Sequence, residues 1–391
     1  EYHLPPEFKG KYVTIYFGVL NDGEGGTTVM YVDDVALPIC DWQPTPSPTS
    51  PLPTQRVFLP LILREFNATG GRVFAELATS HLPSTSALEL QTLWRPPDQE
   101  VASDWPQIVA LKPASNLVYV AAGKYIWALN ATTGQPVAQI ALDAAPRGLA
   151  VDAAQNRIYA ALWGADALAV IDGTSNALYK VVSGIPQPSG VAVSGDRIYV
   201  TATGSDELFV LDRQNCAIMG RIAVGDAPYA LVLDPDRQRI YVGNAGSDTI
   251  SIVDEQSSKQ VNVVKLGGLG HPHGLALDPI RDRLYVTYAL SPKYRAIAAI
   301  DASAGEIMSR LVGTEERPLF GAYGIAVDPL QGWVYTTTVD ELLLLSGQTL
   351  RVLQATPGVG PAYAFGLSFD AAERRLYLAD ARHGGLMVSR Q

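Results

Sequence analysis

The stretch Arg239-Ile240-Tyr241-Val242-Gly243-Asn244-Ala245-Gly246-Ser247-Asp248 decides the fold, because its opening phrase recurs along the chain. The same order of arginine, an apolar residue and tyrosine begins at Arg157, Arg197, Arg283 and Arg375. A tyrosine marks seven repeats: Tyr119, Tyr159, Tyr199, Tyr241, Tyr285, Tyr335 and Tyr377. Successive tyrosines lie 40, 40, 42, 44, 50 and 42 residues apart. A nearly constant period of this length indicates a repeat architecture.

Three further strands accompany each tyrosine strand. Upstream, a Pro-x-Gly triplet opens an apolar strand that ends in Asp, as in residues 146–152 and 272–278. Downstream, a third strand also ends in Asp, as in residues 168–172, and a fourth strand follows, as in residues 221–225. Four strands per repeat are typical of a propeller blade. The sequence therefore predicts an all-β fold in which residues 105–391 form a closed seven-bladed β-propeller.

The stretch 239–248 resembles the repeat phrase of the YVTN family of seven-bladed propellers, which is related in pattern to NHL and lyase-type propellers. The resemblance covers residues 105–391 and implies the propeller fold. It does not imply one function, since propellers host binding, structural and catalytic roles alike.

The last repeat supplies only three strands, the third of which lies at residues 385–389. Residues 86–94 alternate in the strand period and precede the first blade. We expect Leu88–Trp94 to pair with Leu386–Ser389 as the outer strand of blade seven, because this closes the ring and removes an exposed edge.

The first 104 residues are divided into three segments. Residues 1–42 contain two stretches of strand period around a Gly-rich turn, and residues 28–37 resemble the last strand of jelly-roll modules of secreted bacterial proteins. We interpret 1–42 as the C-terminal fragment of a β-sandwich whose missing sheet comes from upstream sequence or from another chain. Residues 43–55, rich in proline and threonine, predict an extended linker. Residues 56–104 form a connecting segment that includes the closing strand.

Chemistry is expected at the propeller face where each first strand begins. The variable residue of each Pro-x-Gly triplet should surround the mouth of the central channel there, and the glycine permits a close backbone approach. We predict that these variable residues are the ligand-binding positions. They are Gln107, Arg147, Ser189, Tyr229, His273, Tyr323 and Phe365.

The predicted ring contains no carboxylate, whereas a calcium ion takes six or more oxygen ligands, usually with several from Asp or Glu. The pair His271 and His273 is comparable with the histidines of lyase-type propellers. Zinc needs at least three protein ligands, and the other histidines lie elsewhere in the repeat. We interpret His271 and His273 as loop residues that line the mouth, and we expect no catalytic residue, no metal site and no cofactor.

Other recurring residues are interpreted as structural. The Gly-x-Asp loops that end at Asp166, Asp206 and Asp248 are expected to cap their own turns, although an acidic arc for cations or basic partners is the alternative. The strand-ending Asp152, Asp234, Asp278, Asp328 and Asp370 are also expected to be turn residues, and the repeated tyrosines to be core. Cys216 is interpreted as incidental and a disulfide with Cys40 as unlikely. Asn67 and Asn130 open Asn-Ala-Thr glycosylation patterns.

Charge and composition disfavour a nucleic-acid partner, a membrane span and a disordered chain. The formal net charge of −10 disfavours nucleic acid, whose phosphates require the opposite sign. No apolar run is long enough for a membrane span, and a hydrophobic fraction of 47% excludes a disordered chain.

The leading hypothesis is a secreted or cell-surface, non-catalytic structural or adhesive protein. We expect self-association through the N-terminal strands and residues 56–66, in the manner of an extracellular filament subunit, because unpaired strand edges recruit strands from other chains. A carbohydrate or another cell-surface molecule is the expected partner. Two alternatives remain open: a metal-dependent lyase or hydrolase acting at the channel mouth, and a carbohydrate-binding module fused to a propeller.

Overall fold

The structure, a computed structural model, describes residues 16–20, 29–33, 88–96, 106–268, 270–290, 294–315, 317, 319, 322–339, 341–357, 366–380 and 385–389. The chain divides into two compact units, Glu1–Thr85 and Ser86–Gln391.

In the first unit, β1 (Tyr16–Leu20) and β2 (Val29–Asp33) form an antiparallel two-stranded sheet. Tyr16 lies opposite Asp33, and Leu20 lies opposite Val29. This pairing agrees with the hairpin predicted on either side of the Gly-rich turn. The rest of the β-sandwich assignment, the linker 43–55 and the segment 56–66 lie outside the described residues.

The second unit is the seven-bladed propeller that the repeats predict, and each blade is a four-stranded antiparallel sheet. Blade one comprises β4 (Pro106–Lys112), β5 (Leu117–Ala122), β6 (Tyr125–Asn130) and β7 (Pro136–Ala141). Blade two comprises β8 (Pro146–Asp152), β9 (Arg157–Leu162), β10 (Ala167–Asp172) and β11 (Ala177–Ser183). Blade three comprises β12 (Pro188–Ser194), β13 (Arg197–Ala202), β14 (Glu207–Asp212) and β15 (Ile218–Ala223). Blade four comprises β16 (Pro228–Asp234), β17 (Arg239–Asn244), β18 (Thr249–Asp254) and β19 (Lys259–Lys265).

The remaining blades follow the same order. Blade five comprises β20 (Gly270–Asp278), β21 (Arg283–Ala289), β22 (Arg295–Asp301) and β23 (Glu306–Val312). Blade six comprises β24 (Ile325–Asp328), β25 (Trp333–Thr337), β26 (Glu341–Ser346) and β27 (Val352–Pro357). Blade seven comprises β28 (Leu367–Asp370), β29 (Arg375–Asp380), β30 (Gly385–Ser389) and β3 (Leu90–Trp94). Two short 3-10 helices, Pro113–Ser115 and Trp163–Ala165, lie between strands.

The predicted ring closure is confirmed. β3 pairs antiparallel with β30, with Leu90 opposite Ser389 and Trp94 opposite Leu386, so the outer strand of blade seven comes from before blade one. Trp94 is 7% exposed and its ring lies 5.2 Å from that of Trp127 in blade one. The closing strand therefore joins the core between the last and the first blade.

Burial explains why the middle strands read as apolar runs. In β10, Ala167 to Ile171 are all buried, because neighbouring blades cover both faces of the sheet. The outer strand β11 is mostly exposed and carries polar and apolar residues together.

The repeated tyrosines are core residues, as predicted, and all seven are at most 4% exposed. Four of their phenols form a hydrogen bond with the following blade: Tyr119, Tyr241, Tyr285 and Tyr377. The Tyr241 hydroxyl donates a hydrogen bond to the carbonyl of Ala302 at 2.7 Å, and the Tyr285 hydroxyl donates to that of Gly347 at 2.8 Å. In four blades an arginine two residues before the tyrosine also donates to a carbonyl of the following blade, as Arg283 Nη1 does to that of Gly347 at 2.6 Å. In these blades the repeat phrase therefore joins one blade to the next on the face opposite the channel mouth.

No helix in the described part of the chain is both long and apolar enough to traverse a membrane.

Candidate functional site

The channel mouth is organised by the loops that lead into each first strand. In blades three and four the residue before the proline has a left-handed backbone, with φ of 46° at Gln187 and 48° at Ala227. The amide N–H of Gln187 donates to Asp166 Oδ1 and that of Ala227 donates to Asp206 Oδ1, both at 2.8 Å. A carboxylate of the preceding blade therefore fixes the entry loop.

These contacts correct one expectation. The aspartates of the Gly-x-Asp loops were expected to cap their own turns, but each caps the next blade's entry loop; Asp248 likewise accepts from the N–H of Gly268. The physical reason is that each aspartate has a left-handed backbone, with φ of 55° at Asp248, at the loop that borders the next blade.

Each Pro-x-Gly glycine packs against the backbone of the following blade. A Cβ at Gly274 would lie 2.2 Å from the Tyr323 carbonyl oxygen, and a Cβ at Gly148 would lie 2.1 Å from that of Ser189. A larger residue at Gly148 or Gly274 would therefore clash with the backbone of the next blade. The close approach expected of this glycine is therefore made with the next blade.

A buried threonine completes this junction. Thr287 Oγ1 accepts a hydrogen bond from the N–H of Gly274 at 2.9 Å and donates to the carbonyl of Tyr323 at 3.1 Å. Thr201 makes the same two bonds between blades three and four. The backbone of Tyr229 and that of Tyr323 are thus each fixed by the preceding blade.

Three of the predicted ring residues lie in contact. The His273 ring meets that of Tyr323 edge to face, with centroids 4.6 Å apart, and that of Tyr229 at 6.0 Å. His271 is parallel to His273 at 6.2 Å. The structure thus brings side chains from blades four, five and six together at the mouth.

Two guanidinium groups border these rings. Arg295 lies 5.1 Å from the centroid of the Tyr323 ring, and its Nη2 donates to the phenol oxygen at 3.3 Å. Arg147 lies 4.8 Å from the centroid of the Trp163 ring, and its positive charge acts on the phenol of Tyr229. The mouth cluster is defined here as Arg147, Tyr229, His271, His273, Arg295 and Tyr323.

The charge of the mouth cluster comes from its arginines. Burial lowers the pKa of His273 to about 3, and the positive charge of Arg295 acts in the same direction. His273 is therefore neutral near pH 7. Burial also raises the pKa of Tyr229, against the opposing effect of Arg147. In the described part of the chain, neither guanidinium forms an ion pair with a carboxylate.

The other ring positions differ. Ser189 is 1% exposed and shares a 2.8 Å hydrogen bond with the Thr203 hydroxyl, which donates to a backbone carbonyl of blade four. Ser189 therefore serves blade packing. The side chain of Gln107 and all of Phe365 lie outside the described residues, so ligand binding by the full ring stays a prediction.

Sequence reasoning did not select Arg295 or Trp163. Arg295 begins the third strand of blade five, and Trp163 follows the second strand of blade two. Both belong to the turn between strands two and three, which shares the mouth face with the entry loops. Reading those turns blade by blade would have found them.

The strand-ending aspartates are turn residues, as predicted. Asp370 Oδ1, for example, accepts from the N–H groups of Ala372 and Glu373 at 3.0 and 3.1 Å.

The remaining singled-out residues lie away from the mouth. Cys216 is a buried free thiol whose pKa burial raises, while Cys40 lies outside the described residues. Asn130 Oδ1 accepts from the N–H groups of Thr132 and Thr133, and Asn67 lies outside the described residues. Among the residues described, no group of three or more His, Cys, Asp or Glu side chains is arranged to hold a metal ion.

Comparisons with known proteins agree on the architecture. Residues 62–218, less than half of the chain, match the model of a family described as outer membrane protein assembly factor BamB. No curated protein matches the sequence. Hydrazine synthase from Kuenenia stuttgartiensis is 17% identical with a TM-score of 0.66, covering 76% of this chain and 99% of that one.

Two further solved structures are similar. The structure of U3-55K is 13% identical with a TM-score of 0.66, covering 78% of this chain and 98% of its own. The RRP9 WD40 repeats are 14% identical with a TM-score of 0.65, covering 77% and 97%. At these identities the likeness concerns the fold alone. The chain is a seven-bladed β-propeller whose structural neighbours have varied roles.

Proposed function

We propose that the protein is a non-catalytic binding protein of the extracellular space or cell surface, and that its channel mouth holds a carbohydrate that carries a carboxylate. The observation that carries this proposal is the pair of guanidinium groups, Arg147 and Arg295, which border an aromatic recess and pair with no carboxylate in the described part of the chain. An acidic protein with a net charge of −10 keeps this positive charge at the place where propellers usually bind ligands.

The chemistry of the mouth cluster fits such a ligand. Arginine donates paired, charge-assisted hydrogen bonds to carboxylates, and aromatic rings cover the apolar faces of sugars. Arg295 Nη1 is buried and has no hydrogen-bond acceptor in the described part of the chain, so this guanidinium has unused donor capacity. His273 is neutral, so it adds no charge and contributes an aromatic ring to the recess.

The lyase or hydrolase alternative has no specific observation in its favour. The mouth cluster supplies two histidines and no carboxylate, and neutral His273 would need further ligands to hold a metal ion. The description of the matching family as an assembly factor accords with a non-catalytic role.

Self-association through the N-terminal strands and residues 56–66 remains part of the proposal. Its support is that, among the residues described in the first unit, β1 and β2 form a two-stranded sheet, and such a sheet is marginal in water and gains by pairing further. Sedimentation velocity across a hundredfold range of concentration tests it. A monomer throughout would refute self-association without affecting the ligand site.

The ligand test is calorimetric titration with oligogalacturonate and, as the neutral comparison, maltooligosaccharide. We expect the acidic sugar alone to bind, and we expect Arg295→Gln to weaken binding at least about tenfold, because a charge-assisted hydrogen bond contributes about 1.5–3 kcal/mol. The matched control is Arg221→Gln. Arg221 also lies over an aromatic ring, that of Phe209 at 4.7 Å, but on the outer strand β15. Equal binding of both sugars, or equal loss in both variants, would overturn the proposal.

A further inference from the structure

A second candidate site lies between blades seven and one, on the face opposite the channel mouth. At four other blade junctions a buried aspartate pairs with an arginine. Four of the five strand-ending aspartates have an arginine partner: Asp152 with Arg213, Asp234 with Arg237, Asp278 with Arg281, and Asp328 with Arg374. All four carboxylates are at most 3% exposed, so each pairing offsets the cost of burying a charge.

Three different positions supply these arginines. Arg237 and Arg281 lie three residues after the aspartate that they pair with. Arg213 comes from the turn between the third and fourth strands of the next blade, and Arg374 comes from the turn between the first and second strands of the next blade.

At the junction of blades seven and one, none of the three positions is cationic. Glu373 lies three residues after the fifth aspartate, Asp370. Ala131 occupies the place of Arg213 in the turn after β6, and Asn116 occupies the place of Arg374 in the turn before β5. Asn116 and Arg374 even share a left-handed backbone, with φ of 51° and 53°.

A cavity of about 280 Å³ lies at this junction. Its lining includes all the residues that replace the arginines. The lining residues are Leu111, Asn116, Leu117, Ala131, Thr132, Asp370, Glu373 and Tyr377. The volume is slightly below the range of pockets for drug-sized ligands, which suits a small cation or the tip of one side chain.

Asp370 is the buried anion of this cavity. It is 7% exposed, its Oδ1 accepts the two N–H groups of its own turn, and it pairs with no Arg or Lys in the described part of the chain. Glu373 lines the same cavity and adds a second negative charge. Burial raises the pKa of Tyr377 in the cavity wall, and the charges of Asp370 and Glu373 contribute to the same shift.

We infer that this cavity binds a guanidinium or primary ammonium group supplied from outside the propeller, with the Asp370 carboxylate as its principal acceptor. The cation takes the place that an arginine side chain has at the other junctions. The group comes either from a small cationic metabolite or from an arginine side chain of a polypeptide.

The test uses agmatine as the small cation and acetyl-Gly-Arg-Gly-amide as the polypeptide source, each titrated calorimetrically into the full chain. Sodium chloride at matched ionic strength and acetyl-Gly-Gly-Gly-amide are the blanks. We expect at least one cation to bind with a stoichiometry of one. Binding of agmatine identifies the small-molecule source, and binding of the arginine peptide alone identifies the polypeptide source.

Three variants make the result specific. Asp370→Asn keeps an oxygen to cap the turn and removes the charge, so we expect binding at least about tenfold weaker. Ala131→Arg places a guanidinium where Arg213 lies in blade three, so we expect a higher melting temperature and no cation binding. Glu306→Gln, on the exposed outer strand β23, is the control and should bind as the wild type does.

Absence of binding by both cations, or unchanged binding in Asp370→Asn and Ala131→Arg, would overturn the inference. Should Asp370→Asn fail to fold, Ala131→Arg alone decides, since it leaves Asp370 in place. The sugar titration at the mouth cluster is independent of these outcomes.

Discussion

Replacing Thr287 with valine tests the idea that one buried hydroxyl joins blades five and six. Thr287 is fully buried, and its Oγ1 links the N–H of Gly274 to the carbonyl of Tyr323. Valine has nearly the same shape but cannot accept or donate, so two buried backbone groups lose their partner. Each such loss costs about 1–2 kcal/mol, which gives a decrease of about 2–4 kcal/mol in the free energy of unfolding.

Thr287→Ser is the matched control, because it keeps the hydroxyl and removes one methyl group. Its cost should be about 1 kcal/mol. Urea unfolding measures the free energy of unfolding of both variants. A lower midpoint at an unchanged slope reports a loss of stability and not a change in the denatured state. We also expect Thr287→Val to weaken binding of the acidic sugar, because the backbone of Tyr323 at the channel mouth loses its hydrogen bond. A valine variant as stable as the serine variant would refute the bridging role.

Three further changes test other junctions. Trp94→Ala in the closing strand should cost about 3–5 kcal/mol in urea unfolding, because a buried indole between blades seven and one is removed; a cost below about 1 kcal/mol would contradict the closure. Tyr241→Phe should cost about 1 kcal/mol, since the carbonyl of Ala302 loses the nearer of its two donors and keeps Arg239 Nη1; an unchanged midpoint would count against this contact. Burial alone would raise the pKa of Asp152, but the hydrogen bonds and charge of Arg213 outweigh it, and the pKa lies below its usual value. A carboxyl whose pKa is lowered in the folded state stabilises the fold at pH values above its ordinary pKa of about 4. Arg213→Met should therefore lower the free energy of unfolding by about 3 kcal/mol at pH 7, and by progressively less as the pH falls below 4. A cost that is independent of pH from 7 to 3 would refute the pairing.

Most of the fold could be predicted from the sequence because its signals are local and repeated. The tyrosine of each blade is buried against the next blade, so its spacing reports the blade length directly. The closing strand could be assigned because Leu88–Trp94 alternates and the seventh repeat lacks a fourth strand. These inferences needed only the order of apolar residues and the number of strands in a blade.

The site was predicted less completely, because exposure at the mouth depends on side-chain direction. Tyr229, His273 and Tyr323 do come together, but Ser189 at the same repeat position is turned into a hydrogen bond with Thr203. Arg295 starts a strand and belongs to no repeated phrase, so only a comparison of the turns between strands two and three, blade by blade, would have selected it. Its position over Tyr323 follows from the packing of blade five on blade six.

The hydrogen-bond partner of the aspartate in a Gly-x-Asp loop could not be predicted from the sequence pattern either. Asp166 looks like the cap of its own turn, because Asp in such loops usually bonds the backbone two or three residues on. Only the three-dimensional placement of the next blade reveals that its partner is the N–H of Gln187.

The closing pair of strands has a consequence for synthesis on the ribosome. Leu90–Trp94 emerges before any blade, yet its partner Gly385–Ser389 is made last. At typical rates of 5–20 residues per second, the ~300 residues between them take on the order of 15–60 s to translate. During that time Leu90–Trp94 has no pairing partner in its own blade, while the blades that follow it in the sequence can form from neighbouring segments. The ring therefore cannot be completed until the last strand of blade seven has been made, and until then Leu90–Trp94 is an unpaired strand that a chaperone has reason to shield.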